Sequence, residues 1–191
     1  MGYILQLDRD LFYFLNTQLT ASILDFFMPF ITSKANFVGV IILSWLIIFI
    51  MGKQRDRKVL IIVVLAVLMS DLAANTTKYL IQRGRPCNVL TDVRILVSCT
   101  QSFSFPSGHA ANIFAAATYL SYNYRRYSII FLVIAILVAY SRIYVGVHYP
   151  LDVIGGSIFG IMGAILFIQL DKWLVPVVVS WSKKRFSNAQ S

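Results

Sequence analysis

Glutamate is missing from all 191 residues, and the eight acidic side chains are every one aspartate. Charge of either sign is scarce: 13% of the chain is charged against 58% hydrophobic, about half the charged share of a soluble protein. That balance excludes a water-soluble globule and leaves no room for a separate soluble domain. Internal repeats, low-complexity tracts and a basic, apolar, small-residue signal pattern at the N-terminus are also lacking, apart from a short disorder-like tail from Ser187 to Ser191.

What the chain does have is apolar runs of membrane-crossing length, with a mean hydropathy of +0.73. The runs cover roughly 37–52, 58–80, 107–122, 128–146 and 152–170, and a weaker run, interrupted by Asp25, covers about 19–33. From Asp8 to Leu19, Leu11, Phe12, Phe14 and Leu15 alternate with Asp8, Asn16 and Gln18 at near-helical spacing, the pattern of an interfacial helix. The expected fold class is therefore all-α: a polytopic membrane helical bundle of six transmembrane helices behind an N-terminal interfacial helix, forming one domain over 1–191.

Seventeen basic residues against eight acidic ones leave a net charge of +9. A nucleic-acid binder would set that excess in stripes beside aromatics on a soluble surface; here it sits in clusters between apolar runs. Lys53 to Lys58, Arg125-Arg126 and Lys183 to Arg185 mark the cytoplasmic side by the positive-inside rule. Alternation then makes 83–106 an external loop in a multi-pass protein of the inner (cytoplasmic) membrane, with both termini cytoplasmic if 19–33 is a span. Cys87 and Cys99 both fall in that loop, where they form either a disulfide or two unpaired thiols.

Ionisable side chains in membrane spans need a partner or a function. Asp71, Lys78, Arg85, His109, Arg142, His148 and Asp152 gather near the external ends and include both histidines of the chain. Lys78 and Arg85 stand seven apart, two helical turns, before Pro86 ends any helix; they suit a dianionic phosphate or serve as snorkelling anchors. Pro106-Ser107-Gly108-His109 opens a span, where free N–H groups, the Ser107 hydroxyl and the close approach allowed by Gly108 favour an anion; an ordinary helix cap is the alternative. Arg142 adds a third cation, and His148 precedes Asp152 by four residues. That spacing lets the carboxylate accept Nδ1–H and leave Nε2 as a lone pair, unless the pair is only structural.

Together these residues resemble the signature of the type 2 phosphatidic acid phosphatase superfamily of membrane lipid phosphatases. Lys78 is followed after six residues by Arg85-Pro86, then comes Pro106 to His109, then Ser141-Arg142, five residues, His148, three residues and Asp152. The resemblance runs over about 78–152. Soluble vanadium haloperoxidases share these motifs, but the hydropathy excludes them. The resemblance implies that His148 attacks phosphorus, Asp152 orients it and His109 is the acid and then the base. Lys78, Arg85, Arg142, Ser107 and the Gly108 N–H would hold the phosphoryl oxygens.

No metal or other cofactor is expected, since hard cations want carboxylates and only Asp71, Asp92 and Asp152 fall near this face. The expected partner is a membrane lipid phosphate in the bilayer. Undecaprenyl diphosphate, phosphatidylglycerol phosphate, phosphatidic acid and the 1-phosphate of lipid A all fit, and no residue selects among them or sets the oligomeric state. Two rivals remain: a lipid phosphotransferase, and a non-enzymatic lipid-phosphate transporter that has no use for paired histidines. A membrane scaffold would account for Gly155, Gly156, Gly160 and Gly163, of which Gly156 and Gly160 form a small-xxx-small pair for helix contact. Trp45, Trp173 and Trp181 read as interfacial or packing aromatics.

Overall fold

Helix α4 (Gln54–Ile81) begins inside the first basic cluster, where the Asp56 carboxylate accepts the Lys53 N–H at 3.3 Å and caps the first turn. Its 28 residues make it about 42 Å long, ample for a bilayer. This computed structural model describes residues 2–187, with side chains to position 173, and holds helices without any strand among them. The basic cluster Lys183 to Arg185, Trp181 and the tail from Ser187 lie outside the residues whose side chains are described.

Preceding α4 are α1 (Gly2–Tyr13), a π-turn over Phe14–Gln18, α2 (Ser22–Thr32) and α3 (Ala35–Met51). After it come a short α5 (Pro86–Val89), α6 (Gly108–Asn123), α7 (Ser128–Tyr144) and α8 (Pro150–Ser187). The chain is an all-helical membrane bundle, as its hydropathy requires. Its centre is α6, which touches α4, α7 and α8 and contacts α8 most broadly.

Small side chains make that centre possible. Ala110, Ala111 and Ala115 of α6 have no exposed surface, and α8 meets them with glycine. A Cβ on Gly156 would strike the Ser107 carbonyl, one on Gly160 the Ala111 carbonyl, and one on Gly163 the Ser70 hydroxyl. The backbones therefore approach closely, and van der Waals contact replaces the hydrophobic drive that lipid cannot supply. By contrast α3 is apolar on every face and buries no residue.

Among the described residues, three stretches have the length and hydropathy of a span: 54–89, 125–144 and 150–173. Together α2 and α3, bent by 53° at their break, provide at most a fourth. By length and hydropathy alone, these account for up to four spans among the described residues, against the six expected. At 16 residues α6 is about 24 Å long, and enclosed by its neighbours it runs the length of the bundle, from Gly108 at one end to Asn123, whose carbonyl Arg55 bonds, at the other. The run at 19–33 contains only the 11-residue α2, and both ends of α2 reach the same end of the bundle. Asp25 accepts from Arg94 at 2.7 Å and from the Tyr144 hydroxyl at 2.5 Å, while Thr32 bonds Arg142.

The N-terminal amphipathic pattern does not divide simply into an apolar inside and a polar outside. Asp8 and Asn16 are 3% and 0% exposed and share the buried face with Phe12, whereas Leu11, Phe14 and Gln18 face outward. In lipid an outward apolar side chain costs nothing, and inward polar groups are satisfied by partners. Asn16 donates to the Tyr144 carbonyl at 2.8 Å and to that of Arg94 at 3.0 Å, and accepts the Arg94 N–H at 2.9 Å.

The two described basic connectors share one end. Arg55 donates to the Asn123 carbonyl at 2.7 Å, Tyr124 donates to Asp56 at 2.6 Å, and Lys58 pairs with Asp171. The motif residues lie at the other end.

Candidate active site

The left-handed Gln82 (φ 52°) ends α4 after Lys78, so Arg85 does not share its helical face. The two-turn expectation fails because the helix stops short of Arg85. Arg85 arrives instead on the loop, still within electrostatic reach of Lys78. It is 5% exposed: Nε donates to the Ser102 carbonyl at 2.8 Å, Nη2 to the Ser102 hydroxyl at 2.9 Å and Nη1 to the Val147 carbonyl at 3.1 Å. A guanidinium so enclosed is no snorkelling anchor.

Helix α6 starts at Gly108 with Ser107 as its cap residue, yet the Ser107 hydroxyl makes no cap bond. That hydroxyl is buried without a partner, as is Nε of Arg142. Buried polar groups are ordinarily paired, so two orphans on converging elements mark a polar site. A Cβ at Gly108 would stand 3.7 Å from Lys78 Nζ and from Asp71 Oδ1, which places the ammonium beside the helix start. Asp71 accepts from Asn112 at 2.8 Å and from Asn75 at 2.9 Å. His109, one residue into α6, has the cations Arg142, Lys34 and Lys78 and the His148 ring as neighbours.

Gly146 (φ +86°) closes α7 in a conformation that suits glycine; a Cβ there would strike the Arg94 carbonyl. The resulting turn points the N–H groups of Val147 and His148 at the Arg142 carbonyl, each at 3.2 Å. Pro150 then starts α8, and Asp152 Oδ2 reaches back to accept the Tyr149 N–H at 2.9 Å. The same oxygen stands 3.5 Å from His148 Nδ1, longer than a tight bond, and the Ser104 hydroxyl lies 3.4 Å from that nitrogen. Ser104 also donates to Asp152 Oδ2. On the other edge of the ring, Arg85 Nη1 is 3.1 Å from Nε2. An arginine can only donate, so Nε2 carries the lone pair and Nδ1 the proton. Burial pushes the His148 imidazole down to about 4 against the opposing pull of Asp152, with Arg85 and Arg142 adding to the fall, so the ring is neutral near pH 7.

Cys87 and Cys99 are bonded, tying α5 to the loop that leads into Ser102 and Ser104. Three residues of the site region escaped the sequence reading: Ser104, Arg83 and Asp8. Arg83 lies between Lys78 and Arg85 and donates to Asp152 Oδ1 at 2.8 Å and to Asp8 Oδ2 at 2.5 Å. Only the polar stripe of α1 hinted at Asp8.

Apolar helices thus gather two histidines, three cations and a buried carboxylate at one end of an integral-membrane bundle. The model of the PAP2 superfamily matches residues 59–176, and the chain belongs to that superfamily, as its motifs indicate. It is 31% identical over 164 residues to the undecaprenyl-diphosphatase of Sulfolobus acidocaldarius, covering 85% of this chain and 77% of that one. With the lipid A 4'-phosphatase of Bacteroides thetaiotaomicron it shares 32% identity over 177 residues, 86% and 77% of the two chains. The crystal structure of a transmembrane PAP2 type phosphatidylglycerolphosphate phosphatase from Bacillus subtilis superposes with a TM-score of 0.73 at 27% identity, covering 90% of this chain and 88% of that one.

Proposed function

We propose that this chain is a lipid phosphatase, hydrolysing a lipid phosphate or diphosphate through a phosphohistidine on His148. The observation that carries the reading is the neutral, lone-pair-bearing Nε2 of His148 set beside Arg85, with the unpartnered Ser107 hydroxyl and Arg142 Nε buried at the same end. In the first step Nε2 bonds phosphorus as the bond to the lipid oxygen breaks, and His109 gives that oxygen a proton. In the second, water attacks phosphorus, the N–P bond breaks, and His109 takes the water's proton. Arg85, Arg142 and Lys78, with Ser107 and the Gly108 N–H, stabilise the charge on the equatorial oxygens. Asp152 steadies the ring as it becomes cationic. These groups need no metal for charge neutralisation, so activity is expected to persist in EDTA.

Relatives act on undecaprenyl diphosphate and lipid A, and the chemistry common to them is a phosphoryl group on a lipid. The lipid matches a bundle whose phosphate-binding end lies where spans meet the headgroup layer. Two basic connectors at the opposite end orient the site outward by the positive-inside rule, and α1 goes with the site end.

The test is phosphate release by purified protein from undecaprenyl diphosphate, phosphatidylglycerol phosphate, phosphatidic acid and lipid A, with His148→Ala beside wild type. Turnover of at least one lipid by wild type, acid-labile phosphate on His148, and loss of both in the variant are expected. Wild-type levels of turnover in His148→Ala would overturn the mechanism, and inactivity of wild type on every lipid would overturn the substrate class.

A further inference from the structure

We propose that Asp8 and Arg83 are positioning residues for the nucleophile: across the bundle they lock the Asp152 carboxylate in the orientation that His148 needs. The inference rests on His148 as nucleophile. It concerns residues that the motifs do not specify, one at an open position between Lys78 and Arg85 and the other outside the stretch that the family model matches.

The two oxygens of Asp152 are held very differently. Oδ2 faces the Ser104 hydroxyl, the Tyr149 N–H at 2.9 Å and His148 Nδ1 at 3.5 Å. Oδ1 has a single side-chain partner among the described residues, Nη1 of Arg83 at 2.8 Å. Asp152 is 0% exposed, so water cannot replace that partner, and a buried carboxylate robbed of its cation is strongly disfavoured. Freed of Arg83, the carboxylate would turn about its own bond to find new donors. Oδ2 would then leave a histidine contact that is already long.

Arg83 is in turn fixed on two sides. Its Nη2 donates to Asp8 Oδ2 at 2.5 Å, and its guanidinium lies 3.9 Å from the centre of the Tyr149 ring. Asp8 is 3% exposed, and its other oxygen accepts the Leu151 N–H at 2.8 Å. One carboxylate of α1 therefore grips both the arginine and the first turn of α8, the turn that carries Asp152. His148, Tyr149, Leu151 and Asp152 are thus held from α1 through a relay that includes none of the three phosphate-facing cations. With its guanidinium shared between two carboxylates, Arg83 is occupied, while Arg142 keeps an N–H free for substrate.

A positioning role predicts loss in kcat at unchanged KM, because neither residue touches the phosphoryl group. The experiment measures phosphate release from phosphatidic acid and undecaprenyl diphosphate in detergent micelles by monodisperse Arg83→Gln, Arg83→Lys, Asp8→Asn, Asp8→Asn/Arg83→Gln and His148→Ala. Arg83→Gln is expected to lower kcat by about 30-fold with KM within threefold, and Arg83→Lys to recover part of that by restoring a cation to Oδ1. Asp8→Asn keeps an acceptor for the Leu151 N–H and is expected to lower kcat by roughly fivefold; the double variant should fall no further than Arg83→Gln alone, since both act through one relay.

Wild-type kcat in Arg83→Gln and Asp8→Asn, or a loss confined to KM, overturns the proposal. If Arg83→Gln does not fold, the isosteric Asp8→Asn decides by the same criterion. Inactive His148→Ala beside unimpaired Arg83→Gln and Asp8→Asn sinks this inference alone, whereas turnover in His148→Ala sinks the reading beneath it.

Discussion

At the two ends of the bundle, cations are treated in opposite ways. At the end of the basic connectors, Lys58 meets Asp171 in a partly exposed pair, and Arg55 and Arg57 donate to the backbone carbonyls of Asn123 and Ile50. At the site end, Arg83 and Arg94 have carboxylate partners, but Lys78, Arg85 and Arg142 form no ion pair among the described residues. Three buried or half-buried cations repel one another, and the carboxylates of Asp71 and Asp152, though near, make no contact pair with them. On the proposed mechanism their arrangement is stabilisation held ready for an anionic transition state, whereas the connectors carry the charge that the positive-inside rule reads.

The sharpest break of that contrast is Arg142→Ala. It is expected to lower kcat/KM by about 100- to 1,000-fold while leaving the thermal midpoint in detergent unchanged or higher, because a like charge leaves the cluster. Vanadate, which takes the geometry of the transition state, should inhibit wild type and inhibit the variant more weakly. A variant that melts early yet keeps its activity would make Arg142 structural.

Next in size is the seam that holds the site's helices together. Gly160→Val must push α8 off the Ala111 carbonyl and is expected to destabilise by about 3 kcal/mol, read as a fall in the detergent melting point. Gly39→Ala, on α3 with nothing within 4 Å, is expected to be neutral or slightly stabilising. Equal effects at the two positions would dissolve the distinction between the packed centre and the lipid-facing rim.

Acid should act on the site end through His148. Its folded value of about 4 lies below the ordinary 6.5, so between these values the unfolded chain binds the proton and the folded chain does not. Stability is therefore full above about pH 6.5 and lost progressively as pH falls toward 4. Urea unfolding in detergent at pH 7.5 and 5 should show a loss that His148→Asn makes smaller; an unchanged loss would clear His148. The smallest effect belongs to the far end: Lys58→Ala is expected to cost under about 1 kcal/mol and to leave phosphate release unaltered, since its pair with Asp171 is open to solvent.

Much of the site was readable as local pattern. Pro106 to His109 and Arg142 to Asp152 are short segments whose chemistry follows from residue type and spacing, and hydropathy alone compels a helical membrane protein. The grouping at one end also followed, because alternating spans must return motif-bearing ends to the same side. Charge clusters correctly put 53–58 and 125–126 together, and the small-xxx-small pair of Gly156 and Gly160 correctly marked a helix seam.

Tertiary structure alone decided which polar residues turn inward and which of them meet. A bilayer removes the penalty on outward apolar groups, so the periodicity of α1 shows that it has two faces without saying which one is buried. Asp8 reaches Arg83 across 75 positions, and Ser104 reaches Asp152 across 48, distances at which no periodic signal survives. The same holds for α2, whose apolar run gives no sign that Asp25 meets Arg94 and Thr32 meets Arg142. Sequence determines what each segment prefers as solvent and what chemistry its side chains can do; the assembled fold determines which buried charges find partners and which are left for substrate, because that depends on three-dimensional packing between remote segments.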